Sequence, residues 1–315
     1  MDCLCLGVVC ADLVCQPIPA LPAQGQLIQT EGIALSLGGC AANTAFNLAR
    51  MEVHTGIVAC IGEDLFGDFI GQTLKKTGVD TAGLVRSADA SSATSAVINV
   101  RGEDRRFIAH PGANRLLSPA MIPEGLIESA AVLYIGGFLM LDGLDSQDML
   151  RRLAQARSAG TRIVLDVVQV ADVNAMARLT TILPYVDVFL PNNDEATELT
   201  GCSQPWEQAD AFRAAGAHTV VITSGQRGAH LVSDNTRLHI GVHSTTVVGS
   251  TGAGDAFDAG FIAALLDDQD LTTCLRWGSA LGASCVRSSS ATGSVFSREE
   301  ALQFMANHPL PVEAF

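Results

Sequence analysis

Short apolar runs alternate with stretches of helical periodicity along most of the chain. The apolar runs that we interpret as buried strands are residues 3–9, 131–135, 162–168, 186–190 and 219–223. Between them, apolar residues recur every three or four positions, as in 145–158 and 206–215, which predicts amphipathic helices. Strands that are apolar throughout and separated by helices are typical of a parallel sheet covered on both faces. We therefore predict an α/β fold with three layers, built on a doubly wound, mostly parallel sheet.

Two segments depart from this rhythm. Apolar and polar residues alternate in 14–37 and again in 95–109, which predicts antiparallel strands outside the main sheet. We expect these strands to form a small β lid, made by approximately residues 13–37 and 93–110. Such a lid would cover a site at the carboxyl ends of the parallel strands. We expect residues 1–315 to form one domain that carries this lid.

Composition and charge limit the kinds of molecule that this protein is expected to bind. The chain has 315 residues, of which 48% are hydrophobic and 17% charged, as in folded proteins. Its 33 acidic against 19 basic residues give a net charge of −14, which argues against nucleic acid or an anionic membrane as partner. A small phosphate ligand needs only a few oriented donors and stays compatible with this charge. The nine cysteines include no CxxC pair, and no apolar stretch has spanning length, so we expect a cytoplasmic protein.

The sharpest motif is GSTGAGD at residues 249–255. The apolar run 243–248 precedes it, which predicts a strand, and an apolar helical pattern follows it. Small residues at a helix start leave backbone N–H groups accessible, and the helix dipole adds positive charge there, so this turn predicts a phosphate site. Two interpretations account for Asp255. Its negative charge stabilises the first turn of the helix, or its carboxylate acts as a base that takes a proton from a hydroxyl attacking the phosphate.

This arrangement resembles the second signature of the ribokinase/PfkB family of carbohydrate kinases, D-T-x-G-A-G-D-x-F. Residues 38–43, GGCAAN, are similar to the first signature of that family, G-G-x-x-x-N. The resemblance implies a ribokinase-like fold and ATP-dependent transfer of phosphate to a sugar hydroxyl. It implies Asp255 as general base, an anion hole from the backbone of Gly252, Ala253 and Gly254, and substrate contacts from Asp12, Gly38, Gly39, Asn43 and Asp255.

Further motifs follow in the order of that family. Residues 191–195, PNNDE, resemble its P-N-x-x-E motif, which implies that Asn192 and Glu195 organise Mg²⁺ and the phosphates, Glu195 through water. On its own this run is an acidic helix cap after a strand. Residues 223–228, TSGQRG, are similar to its nucleotide turn. The ATP contacts that these motifs imply are Asn192, Glu195, Thr223, Gly225, Gly228, Thr251, Gly252 and Gly254.

Two positions depart from the family pattern. Gly249 stands where many members have an aspartate that helps to hold a potassium ion. Glycine brings no carboxylate, which argues against K⁺ activation. Cys40 stands where ribokinase has a lysine, and a thiol cannot make that contact, so ribose is a weaker expectation than the fold alone suggests. No cluster of Arg and Lys indicates a second phosphate site, which favours an unphosphorylated sugar.

Three hypotheses follow. The first is the sugar kinase just described. The second is a nucleoside kinase of the same fold, for which facing aromatic residues in the lid are expected, whereas we find only Phe107 there. The third is a sugar- or nucleotide-binding relative without turnover, which Gly249 favours and which Asp255 and Glu195 argue against. A homodimer through an exposed edge of the lid is compatible with all three.

Overall fold

The computed structural model describes residues 1–103, 105–168 and 172–315. The elements up to the middle of the chain are β1 (Cys3–Gly7), β2 (Cys10–Ile18), β3 (Ile33–Gly38), α1 (Cys40–Arg50), β4 (Thr55–Gly62), α2 (Leu65–Thr77), β5 (Asp80–Ser87), β6 (Thr94–Val100), β7 (Arg106–His110) and β8 (Val132–Gly136). Those that follow are α3 (Gln147–Ser158), β9 (Arg162–Leu165), α4 (Ala175–Ile182), β10 (Val188–Phe189), α5 (Asn193–Thr200), α6 (Pro205–Ala214), β11 (Thr219–Thr223), β12 (Ala229–Ser233), β13 (Thr236–Ile240), α7 (Ala253–Leu266), α8 (Leu271–Cys285), α9 (Arg298–Asn307) and β14 (Val312–Ala314).

The main sheet lies between two helical layers. Within the described ranges its strand order is β14-β13-β12-β11-β10-β9-β8-β1-β4-β5, parallel from β11 to β5 and antiparallel from β11 to β14. Successive side chains of a strand point to opposite faces of its sheet. Cys3 and Cys5 accordingly pack in the core that contains α1, α7 and α8 residues, whereas Leu4 and Leu6 pack in the core that contains α3, α4 and α6 residues. The predicted three-layer, mostly parallel α/β fold is confirmed.

The prediction of a strand over 243–248 is wrong. This segment follows β13 in an irregular conformation, and Val247 and Val248 are more than half exposed. Strand β14, from the end of the chain, pairs with the outer edge of β13, so this edge of the sheet is already occupied. The N–H of Val248 instead donates to the carbonyl of Val286 at 2.8 Å. Only two of the six residues in this segment, Val247 and Val248, are apolar, and both are largely exposed rather than buried in a sheet.

A second sheet of four strands, in the order β3-β2-β6-β7, stands apart from the main one. Strands β2 and β3 pair in antiparallel fashion, as do β6 and β7, in agreement with the alternating patterns. The central pair, β2 and β6, is parallel, so the expectation of antiparallel strands is right within each segment and wrong between them. All of β7 is exposed. The action of this sheet as a lid stays a prediction.

Six of the nine cysteines are buried. All nine are free, and Cys3 and Cys5 are fully buried in β1. None of the helices in the described part of the chain combines the length and the apolar character that a membrane span requires.

Candidate active site

The first and second signature motifs meet through one hydrogen bond. Asn43 lies in α1 and Asp255 in the first turn of α7, and the Asn43 Nδ2 donates to Asp255 Oδ2 at 2.8 Å. The adjacent Thr44 hydroxyl donates to the backbone carbonyl of Asp255 at 3.3 Å. Residues 212 positions apart in the chain therefore form one site, where α1 and α7 pack together.

Asp12 is held at the edge of the same region. Its carboxylate is buried, and Oδ1 accepts a hydrogen bond from the Ser95 hydroxyl at 2.6 Å, which links β2 to β6. Burial raises the pKa of Asp12, while hydrogen bonds from Ser95 and Cys10 lower it. A Cβ on Gly38 would lie 2.1 Å from Asp12 Oδ2, so any larger residue at position 38 would displace this carboxylate. Gly39 follows as the N-cap residue of α1.

The N-terminus of α7 is rich in glycine, and the N–H of Ala253 there donates to the Ser250 carbonyl at 3.3 Å. Its N-cap residue is Gly252, with φ of 78°, and no side chain caps the helix. The first N–H groups of a helix have no partner within the helix. A Cβ added at Gly254 would meet nothing within 4 Å, so the space in front of this turn is open. Arg105, which precedes β7 of the small sheet, donates from Nη1 to the Ser250 hydroxyl in the same loop.

Asp255 sits between these features and remains partly accessible to solvent. Burial raises the pKa of its carboxyl, and the negative charge of Asp12 raises it further. Hydrogen bonds from Asn43 and Cys40 and the positive charge of Arg105 lower the pKa. A carboxylate placed beside open backbone donors, with its charge state set by its neighbours, is equipped to exchange a proton with a bound hydroxyl.

The two nucleotide motifs also lie together. Asn192 and Thr223 form a bridge between parallel segments, and the N–H of Thr223 donates to the Pro191 carbonyl at 3.1 Å. Gly225 begins a single turn of 3₁₀ helix, which Gly228 closes by accepting from the N–H of Ser224 at 2.8 Å.

Asn192 and Glu195 form a capping box on α5. Asn192 Oδ1 accepts from the N–H groups of Asp194 and Glu195, both at 2.9 Å. Glu195 Oε2 accepts from the N–H of Asn192 at 2.9 Å. Glu195 is buried, and its charge raises the pKa of Asp166 and Asp258. The helix-cap interpretation of this run is therefore correct for its local structure.

Two buried or capping polar residues, Asp64 and Asn114, support the scaffold around the site. Asp64 caps α2 through the N–H of Gly67 and also accepts from the backbone and hydroxyl of Ser92. Asn114 is buried and makes two hydrogen bonds to the backbone of Val9, just after β1. These residues fix the strand ends around the site, and among the hydrogen bonds of the described residues none joins them to Asp255.

The sequence patterns did not reveal a set of buried polar residues behind Asp255. Tyr134 in β8, Asp166 after β9 and Asp258 in α7 are all buried, and Cys40 at the start of α1 faces them. Two features of the sequence could have indicated these residues. Asp166 directly follows the apolar residues 163–165, and Asp258 follows Asp255 by three positions in an apolar helix.

Comparison with known proteins identifies the family of this chain. A model of the pfkB family of carbohydrate kinases matches residues 2–297, and the chain belongs to that family. Ribokinase of Haemophilus influenzae is 26% identical over 307 residues, covering 95% of this chain and 97% of its own. A nucleoside kinase of Methanothermobacter thermautotrophicus is 29% identical over 244 residues, covering 78% of this chain and 76% of its own.

A solved structure of similar fold is Arabidopsis thaliana ribokinase complexed with ribose and ATP. Its TM-score is 0.83 at 22% identity, and the match covers 96% of this chain and 98% of that one. The ribokinase-like fold is thereby confirmed, and the protein is a carbohydrate kinase.

Proposed function

We propose that this protein transfers the γ-phosphate of ATP to a hydroxyl of a small, unphosphorylated sugar, with Asp255 as general base. The observation that carries this proposal is the 2.8 Å hydrogen bond between Asn43 and Asp255. It joins the sugar motif to the phosphate motif, so that a hydroxyl held by the first lies beside the base of the second. Positioning of this kind is most of what a phosphoryl-transfer enzyme contributes.

The substrate side of the site suits hydroxyl groups. Asn43 is 3% exposed, and its Oδ1 has no hydrogen-bond partner in the described chain. A buried amide oxygen without a partner costs stability unless a ligand donates to it. Asp12 adds carboxylate oxygens, and Gly38 and Gly39 leave room for a ring. Carboxylates only accept hydrogen bonds, so a neutral polyol fits better here than an anionic substrate.

In the proposed reaction the substrate oxygen attacks the γ-phosphorus while Asp255 takes the proton of that hydroxyl. The bond between the γ-phosphorus and its bridging oxygen breaks, and ADP leaves with the bonding electron pair. The backbone N–H groups of Gly252, Ala253 and Gly254 stabilise charge on the transferred group. Arg105 supplies a positive charge next to the same loop.

The residues that we assign to ATP and Mg²⁺ fit those ligands chemically. The open, uncapped start of α7 offers backbone donors to phosphate oxygens. Thr223, Gly225 and Gly228 form the turn beside Asn192 that we assign to the nucleotide. Glu195 provides carboxylate chemistry suited to a hard cation. Mg²⁺, when bound, would neutralise phosphate charge, and Glu195 would hold it through water.

The small sheet also carries a proposed interface between two copies of this chain. Its surface exposes Leu13, Ile33, Leu35, Phe107 and Ile108, and β7 is an exposed edge strand. Exposed edges with apolar neighbours are commonly covered by pairing. Sedimentation of the purified chain tests this: a dimer that Ile108→Lys converts to monomer supports it, and a monomeric chain at micromolar concentration contradicts it.

The activity itself is tested by measuring ADP release with ATP and Mg²⁺ against free sugars, sugar acids, sugar phosphates and nucleosides. We expect turnover of a free sugar, at the same rate in potassium and in sodium salts because Gly249 offers no carboxylate. Turnover with nucleosides alone would replace the sugar by a nucleoside, which the relative from M. thermautotrophicus makes the second candidate. Absence of turnover in a protein that binds ATP would favour a non-catalytic binding protein.

A further inference from the structure

A chain of buried polar groups runs from Asp255 into the core of the protein. Tyr134 is fully buried, and its hydroxyl lies 2.9 Å from Asp258 Oδ2 and 3.4 Å from Asp166 Oδ2. The Cys40 sulfur and one carboxylate oxygen each of Asp166 and Asp255 lie within 4.8 Å of one another. Two carboxylates therefore share one phenol, and a thiol lies between one of them and Asp255.

The number of protons limits how these groups can bond. The Tyr134 hydroxyl has one proton, and the shorter contact assigns it to Asp258. No proton of Tyr134 is then left for the longer contact, to Asp166. That contact is a hydrogen bond only if Asp166 itself carries a proton. An ionised Asp166 facing the lone pairs of Tyr134 would be repelled, whereas a protonated Asp166 donates to them.

The charges around the cluster make full ionisation costly. Burial is the main cause that raises the pKa of both Asp166 and Asp258, and charges of neighbouring carboxylates raise it further. The titratable and charged groups that face the cluster are Cys40 on α1, Asp12 on β2, Arg105 before β7, Glu195 on α5, Asp255 and Asp258 on α7, and Cys285 on α8. Arg105 is the cation in that set, and carboxylates outnumber it.

We propose that Asp166 stays protonated and donates to Tyr134, which in turn donates to an ionised Asp258. With Asp166 neutral, the Cys40 thiol donates to the carboxylate of Asp255. Cys40 is then a positioning residue, which keeps the base ionised and oriented, and the proton on Asp166 removes one negative charge from behind it. This inference rests on the proposed function, because it assigns Asp255 as the base.

The experiment is the pH dependence of kcat/KM for four single variants against the wild type, with the sugar that the substrate panel identifies. Cys40→Ala removes a hydrogen-bond donor to Asp255, which should raise the pKa of this carboxyl. The acidic limb of the pH profile of kcat/KM should therefore move to higher pH by about half a unit to one unit. Cys40→Ser keeps a hydrogen-bond donor, so its acidic limb should lie at the same pH as that of the wild type. Asp166→Asn mimics the protonated acid, so its acidic limb should stay at the pH of the wild type. Asp258→Asn removes a negative charge near Asp255, so its acidic limb should move to lower pH.

Opposite shifts from Cys40→Ala and Asp258→Asn, with Asp166→Asn unmoved, support the proposal. A purely structural role would change kcat without moving the limb in opposite directions. The proposal is overturned if Asp166→Asn moves the limb down and Asp258→Asn does not, since the proton then resides on Asp258. It is also overturned if Cys40→Ala leaves the limb in place.

Thermal melting and ATP affinity of each variant serve as controls for folding. Asp255→Asn separates the two proposals. Normal turnover of Asp255→Asn contradicts the proposed function itself. Loss of turnover in Asp255→Asn, combined with unmoved limbs in the Cys40 variants, contradicts only the positioning network.

Discussion

The N-termini of α5 and α7 are capped in opposite ways. In α5, Asn192 and Glu195 satisfy each other's backbone donors through a capping box. In α7, Gly252 provides no side-chain cap, and the acidic residue of the first turn, Asp255, is bonded to Asn43 of another helix. The start of α5 is thus capped by its own side chains, whereas the start of α7 has no side-chain cap, and there the N–H of Ala253 donates to the Ser250 carbonyl at 3.3 Å. The proposed function gives the two helix starts different tasks: the start of α5 helps to hold ATP and Mg²⁺, and the start of α7 carries the proposed base.

The largest test of this contrast removes the base of α7. Asp255→Asn keeps the size of the side chain but cannot take a proton, so kcat should fall by about 10²–10⁴. ATP affinity should stay, because the backbone donors are unchanged. Steady-state kinetics and ATP titration measure both quantities. A variant with near-normal kcat would show that Asp255 is not the base.

The next test changes the glycines in front of α7. Gly254→Ala adds a methyl group in open space, so the protein should fold normally. The methyl group should obstruct the phosphates and lower kcat/KM for ATP about tenfold to a hundredfold. Gly252→Ala is the contrasting variant, because its Cβ would lie 2.5 Å from that of Ala291 and φ is positive. It should lower stability by about 1–2 kcal/mol or more, as seen in thermal melting. Full activity of Gly254→Ala would contradict the anion site.

A smaller effect is expected from the arginine of the small sheet. Arg105 lowers the pKa of Asp255, so Arg105→Gln should raise it. Since Asp255 must be ionised to accept a proton, activity falls as pH drops through this pKa, and the acidic limb of kcat/KM should move to higher pH. Arg106→Gln is the matched control, because Arg106 is exposed and pairs with Glu103. Equal pH profiles of the two variants would remove Arg105 from the site.

The smallest effect on catalysis should come from α5. Asn192→Ala removes the cap and should lower the free energy of unfolding by about 1 kcal/mol. Asn192→Asp keeps an N-cap acceptor and should retain most of that stability. Chemical denaturation with both variants measures the difference. A loss of kcat as large as that of Asp255→Asn would place Asn192 in the reaction itself and end the contrast between the two helices.

Much of this architecture was predictable because it depends on local patterns. Buried strands and amphipathic helices each leave a period in the sequence, and GSTGAGD combines small residues with an acid at a helix start. The start of α3 is an example, since the pattern predicts a helix over 145–158 and Ser146 caps it from Gln147 onward. Helix ends are encoded by nearby side chains, which is why they are legible without the fold.

The α/β class, the alternation of strands and helices, and the residue types of the glycine-rich turn at 249–255 follow from the sequence alone. The folded chain shows that 243–248 is irregular and that β14 occupies the edge of β13. The folded chain also brings Tyr134 into hydrogen-bonding distance of both Asp166 and Asp258, although the three residues belong to separate parts of the sequence. The physical reason is the same in both cases: pairing and proton sharing depend on which distant segments become neighbours, and local periodicity does not record that.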